Sequence, residues 1–373
     1  MAGRARTIVL AGGGTTGHIS PLIATAEVLR GDAAIVCVGT AKGLEGAVVP
    51  AAGFELRLIP AVPLPRKLTP ALFKVPFRLW GAVRQAGAIV AGASVVAGFG
   101  GYVSLPVYLA AWRRHVPIVM HEQNAIPGLA NRLMARRSAA VLVSFPGTPL
   151  PHATVTGLPV RAAVADLARQ GRQAQSAQAR AEFGLPAQGP VLLVSGGSQG
   201  ARSINNAMWG APGAPGARDA LLAAGVSVVH VWGNANFPAG AVTLDGADGA
   251  RYVPLRYVDD MARAYAAADL MLARSGAATV AETATLGLPC LFVPFPHGNG
   301  EQRRNADSLV KAAACEVIDD AGLTPERLVE AALPLLKDPG KLADMGRAAQ
   351  TVMLPGAAER VAEAILAVAG EPR

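Results

Sequence analysis

Residues 7 to 18 read TIVLAGGGTTGH, a short apolar run that passes straight into a glycine-rich loop. A run of Val, Ile and Leu that ends at glycine indicates a buried strand. Gly12, Gly14 and Gly17 follow the spacing G-x-G-x-x-G, in which backbone N–H groups approach a phosphate at the start of a helix. The stretch therefore predicts a strand, a first glycine loop (residues 12–17) and a helix that Pro21 could start.

The first glycine loop alone leaves several functions open. A nicotinamide-binding domain needs an acidic residue at the end of its second strand to hold the ribose, and that strand ends with Cys37, Val38, Gly39 and Thr40. The missing acid argues against an oxidoreductase, whereas a loop that serves only as a tight turn remains an alternative. His18 follows the last glycine, so it could act as a general base or pack against the loop.

Apolar runs alternate with helical stretches along most of the chain, which predicts an α/β fold. A Pro- and Gly-rich passage and a Gln-rich stretch near residues 169–182 interrupt this pattern, and it restarts after Gly189. We therefore predict two doubly wound, Rossmann-like domains with a ligand cleft between the carboxyl ends of their sheets. The predicted strands are residues 7–11, 33–38, 55–59, 94–99, 117–120, 139–143, 191–194, 226–231, 270–273 and 291–294.

The same pattern sets the domain limits. Residues 1–160 form the predicted N-terminal domain, 161–188 a linker and 189–355 the C-terminal domain. Residues 356–373 form a last helix, and its return to the N-terminal domain is left open.

Two further glycine loops follow predicted strands. The second glycine loop (residues 98–104) reads GFGGYVS, and the third (residues 195–200) reads SGGSQG. Three such loops at strand ends indicate more than one phosphate-bearing ligand, or one ligand held from two sides. Four polar residues, His121 to Asn124, also end a strand and suggest a binding edge, although structural hydrogen bonding by His121 is an equal alternative.

The C-terminal domain offers polar groups suited to a sugar nucleotide. Glu282 is expected about two turns into a helix that follows Arg274, where it could accept hydrogen bonds from a ribose or favour the positive helix end. Gln302 and Asn305 lie three residues apart and share a helix face that suits sugar hydroxyls. No Asp-x-Asp triplet and no zinc-ligand spacing occurs in the sequence, so a metal-held substrate is not expected.

Charge is unevenly placed along the chain. The net charge is +8, but residues 1–165 carry 16 basic and 5 acidic side chains, whereas residues 166–373 carry 18 and 21. The N-terminal half should therefore attract an anionic partner, either nucleic acid, an anionic membrane or a phosphorylated substrate. The three cysteines are far apart and suit a reducing compartment. Residues 85–112 lack charge, but glycines and Pro106 break the run, which argues against a spanning helix.

Taken in order, these motifs resemble the MurG family of bacterial glycosyltransferases over nearly the whole chain. The resemblance rests on the first and second glycine loops, residues 121–124 (HEQN), 159–161 (PVR), 196–200 (GGSQG), 259–261 (DDM) and 274–282, and Gln302 with Asn305. It implies a GT-B fold and an inverting transfer of GlcNAc from UDP-GlcNAc to the C4 hydroxyl of undecaprenyl-pyrophosphoryl-MurNAc-pentapeptide. That step, lipid I to lipid II, belongs to peptidoglycan synthesis and so to cell-wall growth and division.

The resemblance also implies roles for individual residues. His18 would be the catalytic base, and no metal or other cofactor would be needed. Thr16 and Glu301 depart from the residues common in the family, which puts in doubt the approach of the first loop to a ligand and any sugar contact at position 301. The residues implied to bind the donor are Thr15, Thr16, Gly17, Asn124, Arg161, Ser198, Val258, Ala277, Ala278, Thr279, Val280, Ala281, Glu282, Gln302 and Asn305; those implied to hold the acceptor pyrophosphate are Gly13, Gly14, Gly100, Gly101 and Tyr102.

A predicted membrane patch lies between residues 63 and 84. Its apolar members are spaced by four, three and three residues, as on one helix face, with basic residues beside them. A core-facing helix is the alternative to a helix that lies on anionic lipid at the cytoplasmic face of the membrane. Other cell-wall synthesis proteins are left open as partners. The patch consists of Phe73, Phe77, Trp80, Val83, Lys74 and Arg78.

Three rival functions remain at this stage. They are a nicotinamide oxidoreductase, a basic adaptor for nucleic acid, and a GT-B enzyme with another lipid acceptor. The nucleic-acid adaptor would leave the polar groups of the C-terminal domain without a purpose, so no nucleic-acid partner is expected.

Overall fold

The computed structural model describes residues 6–14, 16–41, 43–62, 75–211, 213–353 and 355–370. The chain divides into two compact units. Unit 1 comprises residues 1–161 and 356–373, and unit 2 comprises residues 162–355. Each unit is built on its own parallel sheet.

The strands alternate with helices throughout both units. Their bounds are β1 Thr7–Ala11, β2 Ala34–Gly39, β3 Glu55–Leu58, β4 Val95–Gly98, β5 Ile118–Glu122, β6 Ala140–Val143, β7 Ala153–Val155, β8 Val191–Ser195, β9 Gly210–Ala211, β10 Ala214–Pro215, β11 Ser227–Val231, β12 Leu244–Asp245, β13 Arg251–Leu255, β14 Leu270–Ala273, β15 Cys290–Phe292 and β16 Cys315–Val317.

The helices have the following bounds: α1 Thr16–Val28, α2 Glu45–Ala51, α3 Val75–Ile89, α4 Gly101–Arg113, α5 Leu129–Met134, α6 Ala162–Gln170, α7 Ser176–Glu182, α8 Arg202–Trp209, α9 Ala217–Ala223, α10 Met261–Ala267, α11 Ala277–Thr285, α12 Glu301–Lys311, α13 Pro325–Leu336, α14 Pro339–Val352 and α15 Ala357–Ala369.

Unit 1 contains a seven-stranded sheet in the order β3-β2-β1-β4-β5-β6-β7, and every neighbouring pair is parallel. Strand β1 sits near the middle and is buried on both faces. Ile8 and Leu10 pack with α15, which contributes Val361 and Ile365 to the same core. Val9 packs on the opposite face. Because a parallel sheet needs cover on both sides, the last helix of the chain completes unit 1.

Unit 2 contains a second seven-stranded sheet, ordered β12-β13-β11-β8-β14-β15-β16. All pairs are parallel except the short edge strand β12, which runs antiparallel to β13. In each sheet the chain reverses its direction of travel beside the first strand of the unit, β1 or β8. In doubly wound folds, ligand sites lie outside the carboxyl ends of the strands at such a point.

The segment predicted as a linker carries regular structure in unit 2. Residues 162–182 hold α6, a short 3-10 helix and α7, and α7 packs on α10. The buried guanidinium of Arg180 donates hydrogen bonds to the carbonyl oxygens of Ala187, Gly189 and Ala267 and pairs with Asp269 at 2.8 Å. These bonds tie the segment to the amino end of β14.

Candidate active site

The first glycine loop leads from β1 into α1, as the sequence predicts, but the helix begins earlier than Pro21. Helix α1 starts at Thr16, so Pro21 lies inside it and His18 lies in its first turn. Pro21 lacks the N–H that would bond to the carbonyl of Gly17, a loss that is tolerated close to a helix start. The early start brings His18 directly beside the loop. Thr15 lies outside the described residues.

The second glycine loop packs directly against the first. Gly100 and Gly101 have φ angles of 84° and 78°, which other residues rarely adopt. A Cβ on Gly101 would lie 2.3 Å from the carbonyl oxygen of Gly13, and one on Gly100 would lie 3.1 Å from Cδ2 of His18. Glycine is therefore required at both positions for the two loops and the imidazole to meet.

Tyr102 extends this contact. Its ring lies so close to Gly14 that a Cβ there would be 2.6 Å from Cε1 of the tyrosine. Its hydroxyl lies 3.2 Å from Oγ1 of Thr40, at the end of β2. The residues implied to hold an acceptor pyrophosphate are thus neighbours in unit 1, although the N–H of Gly14 already donates to Oε2 of Glu45 at 3.3 Å.

His18 is an unprotonated imidazole at neutral pH. Burial lowers its pKa from 6.5 to about 4, and the negative charge of Glu45 opposes part of that fall. A neutral imidazole can accept a proton from a substrate hydroxyl. The structure therefore gives His18 the protonation state that a general base requires.

The polar residues at the end of β5 have mainly structural contacts. His121 is buried, and its Nε2 lies 2.9 Å from the carbonyl oxygen of Gly157. Glu122 accepts hydrogen bonds from the backbone N–H groups of Asn124 and Gly128 and from the amide of Asn131. The alternative of structural hydrogen bonding for His121 is therefore the one that the structure supports. Asn124, implied to bind the donor, is half-buried at the edge of this group.

In unit 2 the third glycine loop is held open by a neighbouring turn. Ser198, implied to contact the donor diphosphate, is exposed. A Cβ on Gly200 would lie 1.9 Å from the carbonyl oxygen of Trp232, and Asn236 donates a hydrogen bond to the carbonyl of Gln199 at 2.6 Å. The turn after β11 thus fixes the loop while Ser198 stays free for a ligand.

Helix α11 begins at the end of β14, as the sequence predicts. Ala278 and Thr279 are half-buried, but Val280 and Ala281 are core residues with 0% and 1% exposure. The predicted side-chain lining by residues 277–281 is therefore reduced, because Ala277, Val280 and Ala281 are buried. Glu282 is 4% exposed and accepts a hydrogen bond from the hydroxyl of Tyr265 at 2.8 Å.

Gln302 and Asn305 both lie on α12 but have different surroundings. Oε1 of Gln302 accepts a hydrogen bond from the N–H of Phe295, which shapes the loop after β15. Asn305 is fully buried, and its amide donates to the carbonyl of Ser275 at the start of α11. Gln302 is the more accessible of the two for a sugar hydroxyl.

The remaining two donor residues lie in connecting segments. Val258 is half-buried in the segment between β13 and α10, whose first turn is capped by Asp260. Arg161 is half-buried at the end of unit 1, just before α6.

Arg274 organises the second unit's loops and was not assigned a role from the sequence. It donates hydrogen bonds to the carbonyls of Val293 and Pro294, to Ser203 Oγ and to Asp320, the last at 2.5 Å. These contacts join the ends of β14 and β15 to α8. Arg274 therefore holds the segment that leads to Gln302.

Helix α3 exposes some of the residues of the predicted membrane patch and buries another. Phe77 and Trp80 are 79% and 61% exposed, and Arg78 is exposed between them. Val83 was assigned to the same face, but it is 6% exposed and packs in the core. At 3.6 residues per turn it lies roughly 120° around the helix from Phe77. Phe73 and Lys74 lie outside the described residues.

Two features are absent from the described residues: a membrane-spanning helix and a cluster of metal ligands. No helix in the described ranges is long and apolar enough to cross a membrane. Within the same ranges, no three His, Cys, Asp or Glu side chains group closely enough to hold a metal ion.

Comparison with known protein families agrees with this architecture. Residues 8–143 match the glycosyltransferase family 28 N-terminal domain, and residues 191–361 match the corresponding C-terminal domain. Among solved structures, the crystal structure of MurG from Acinetobacter baumannii superposes with a TM-score of 0.76 at 26% identity, covering 96% of this chain and 99% of that one. The calicheamicin glycosyltransferase CalG4, with a TM-score of 0.68 at 18% identity, shares the fold.

Curated relatives are closer in sequence. A protein from Cutibacterium acnes is 53% identical and one from a Nocardioides species is 49% identical, each covering at least 96% of both chains. Both are named UDP-N-acetylglucosamine--N-acetylmuramyl-(pentapeptide) pyrophosphoryl-undecaprenol N-acetylglucosamine transferase. With two matching domain models, a GT-B fold and this identity over nearly its whole length, the chain belongs to glycosyltransferase family 28 and, within it, to the MurG family.

Proposed function

We propose that this chain transfers GlcNAc from UDP-GlcNAc to the C4 hydroxyl of the lipid-linked muramyl-pentapeptide, converting lipid I to lipid II. The observation that carries the proposal is the unprotonated His18 held between two glycine loops in unit 1. The relatives that share about half of its residues are named for this transfer. Such an enzyme supplies a precursor for peptidoglycan.

The chemistry follows from the groups of the two units. His18 takes the proton of the acceptor hydroxyl, whose oxygen then attacks the anomeric carbon of GlcNAc from the face opposite the phosphate. The bond between that carbon and the phosphate oxygen breaks, UDP leaves with its electron pair, and the configuration inverts. Backbone N–H groups of the third glycine loop and of the α11 start stabilise the departing diphosphate, so we expect the reaction to proceed without a metal ion.

The donor is proposed to bind unit 2. Ser198 contacts the diphosphate, Val258 lies against the uracil, Glu282 holds the ribose diol, and Gln302 bonds to the sugar. The buried carboxylate of Glu282, already oriented by Tyr265, is well placed to accept two hydroxyl groups.

The decisive experiment follows UDP release from UDP-GlcNAc with two acceptors, lipid I and diacylglycerol. We expect UDP release with lipid I and none with diacylglycerol. With lipid I, the rate of UDP release should be roughly 10²- to 10⁴-fold lower in His18→Ala. His152→Asn is the matched control, because His152 is exposed and Asn tolerates its φ of 53°. Turnover with diacylglycerol alone would replace the proposed acceptor with another lipid, and full activity of His18→Ala would remove the proposed base.

The proposal also places α3 on the cytoplasmic face of an anionic bilayer. Exposed Phe77 and Trp80 supply the apolar surface, and Arg78 and Arg84 supply charge, each worth on the order of 1 kcal/mol near anionic lipid. Binding is then peripheral.

Vesicle sedimentation tests the proposed membrane binding by α3. We expect the Phe77→Ser/Trp80→Ser variant to bind vesicles of anionic lipid at least tenfold more weakly than the native chain. Val242→Ser/Val310→Ser in unit 2 removes two exposed apolar side chains elsewhere and is the control. Equal vesicle binding by all three proteins would refute the proposed membrane binding by α3 without affecting the proposed transfer reaction.

A further inference from the structure

Glu45 is a buried carboxylate beneath the first glycine loop, and the mechanism above does not use it. It opens α2 and has 0% exposure. Three glycines leave room for its side chain, because a Cβ on Gly13, Gly39 or Gly43 would lie 2.6, 2.4 or 1.9 Å from its atoms. Three separate backbone positions are thus shaped around one carboxylate.

Hydrogen bonds keep this carboxylate ionised. Oε1 accepts from the N–H and the hydroxyl of Thr40 at 2.9 and 2.8 Å, and Oε2 accepts from the N–H of Gly14. Burial raises the pKa of Glu45. These hydrogen bonds and the one from its own backbone N–H together lower the pKa by more than burial raises it, so the pKa lies below its usual range. Glu45 is therefore an anion at neutral pH.

The same carboxylate joins the parts of unit 1 that surround His18. Gly14 belongs to the loop that leads into α1, and Thr40 contacts Tyr102 of the second glycine loop. We propose that Glu45 is a positioning residue, which fixes the first glycine loop at the start of α1 and keeps His18 basic enough to take the acceptor proton. The inference rests on the proposed role of His18 as the base.

A carboxylate in this place favours the imidazolium that forms during proton transfer. Glu45 is the charge that acts on the His18 ring and opposes the effect of burial. Besides Glu45, the charged residues on the elements that pack with α1 or α2 are Glu27 on α1, Glu359, Arg360 and Glu363 on α15, and Glu55 and Arg57 on β3. Removing the charge of Glu45 should therefore weaken His18 as a base and leave binding of the donor unchanged.

The test compares Glu45→Gln, which removes the charge, with Glu45→Asp, which keeps it. Glu55→Gln is the control, because Glu55 is an exposed carboxylate of the same unit that pairs with Arg57. For Glu45→Gln we expect kcat to fall at least tenfold and the KM for UDP-GlcNAc to stay within about twofold. The acid limb of the kcat/KM profile should move down by about half to one pH unit. Glu45→Asp should keep the limb near its native position.

A double variant separates this inference from the proposed function. In a His18→Ala background, Glu45→Gln should cause no further loss, because its effect passes through the base. A folded Glu45→Gln with native kcat and acid limb would overturn the inference, even if His18→Ala is inactive. An active His18→Ala would instead remove the base itself. If Glu45→Gln fails to fold, Thr40→Val decides through kcat: it removes one donor to Glu45 but keeps the charge, so an unchanged kcat would refute the positioning role.

Discussion

His18 is half-buried, and its imidazole is uncharged at neutral pH. It lies in the first turn of α1, and burial holds its pKa near 4 against the opposing charge of Glu45. A base with so low a pKa is always ready to accept a proton but has little affinity for it. Its neighbours must then stabilise the product, which is the physical reason to look for a nearby carboxylate.

Glu282 gives the clearest prediction for a single residue of unit 2. Replacing it by Gln leaves its shape but removes the charge, and hydrogen bonds to charged groups contribute about 1.5 to 3 kcal/mol. We expect the KM for UDP-GlcNAc to rise roughly 10- to 100-fold, with a smaller rise for Tyr265→Phe, which removes one donor to the carboxylate. Glu316→Gln, an exposed change in the same unit, should leave KM unchanged. Steady-state kinetics with varied donor measures all three, and a native KM in Glu282→Gln would exclude its contact with the ribose.

The sequence identified the residues that stand in contiguous motifs and missed those that act across the chain. His18, Ser198 and Gln302 follow strand ends, and strand ends can be located from apolar runs. Glu45 lies in no such motif, because the glycines that make room for it are at positions 13, 39 and 43 and meet only after β1 and β2 pair. Tyr265 escaped for the same reason. Arg274 stands in the motif 274–282, but its partners Ser203 and Asp320 are distant in sequence.

Among the elements, the strands made of apolar runs were predictable, and so was the edge strand β3, whereas β7, β13 and β16 were not. The strands β1, β4, β5, β8, β11 and β14 were found from runs of Val, Ile and Leu. Strand β7 consists of three exposed residues, β13 contains Arg251 and Pro254, and β16 contains Glu316, so none reads as a buried run. Their partners in the sheet define them, and a local pattern carries little of that information.

Two buried histidines on β5 and β11 predict how stability depends on pH. Burial lowers the pKa of His121 from 6.5 to about 4 and that of His230 from 6.5 to about 3. The folded state binds these protons more weakly than the unfolded chain. The associated stability is therefore fully present above about pH 6.5 and is lost as the pH falls toward 4 and 3.

We expect the melting temperature to fall steadily between pH 7 and pH 4.5. His230→Asn should lower it at pH 7, because the hydrogen bonds of His230 to Tyr252 and Asn205 are lost, but should flatten its fall on acidification. His152→Asn, at an exposed site, should reproduce the native curve. Burial raises the pKa of Glu122 and so acts in the opposite direction. A His230→Asn curve parallel to the native one would refute the assignment.

For the whole molecule, the two units should respond separately to damage in their cores. Ile365 on α15 and Leu328 on α13 are both 0% exposed, one in each unit. Truncating a buried aliphatic side chain to Ala costs about 2 to 5 kcal/mol. We expect Ile365→Ala to destabilise unit 1 and Leu328→Ala to destabilise unit 2.

Tryptophan fluorescence can separate the two responses, since Trp80 and Trp112 lie in unit 1 and Trp209 and Trp232 in unit 2. Denaturant unfolding of chains that retain one pair, with the other pair replaced by Phe, should show each core variant shifting only the midpoint of its own unit. Equal shifts of both pairs by Ile365→Ala would mean that the units unfold together.

The return of α15 to unit 1 also sets an order for synthesis. Ribosomes release the chain from its amino end, so residues 6–161 emerge first but lack the helix that covers Ile8 and Leu10. Unit 2 has all of its residues before that helix is made, and it can fold while the first sheet still lacks the cover that α15 provides. The half of the molecule that is translated first is therefore the half that is finished last.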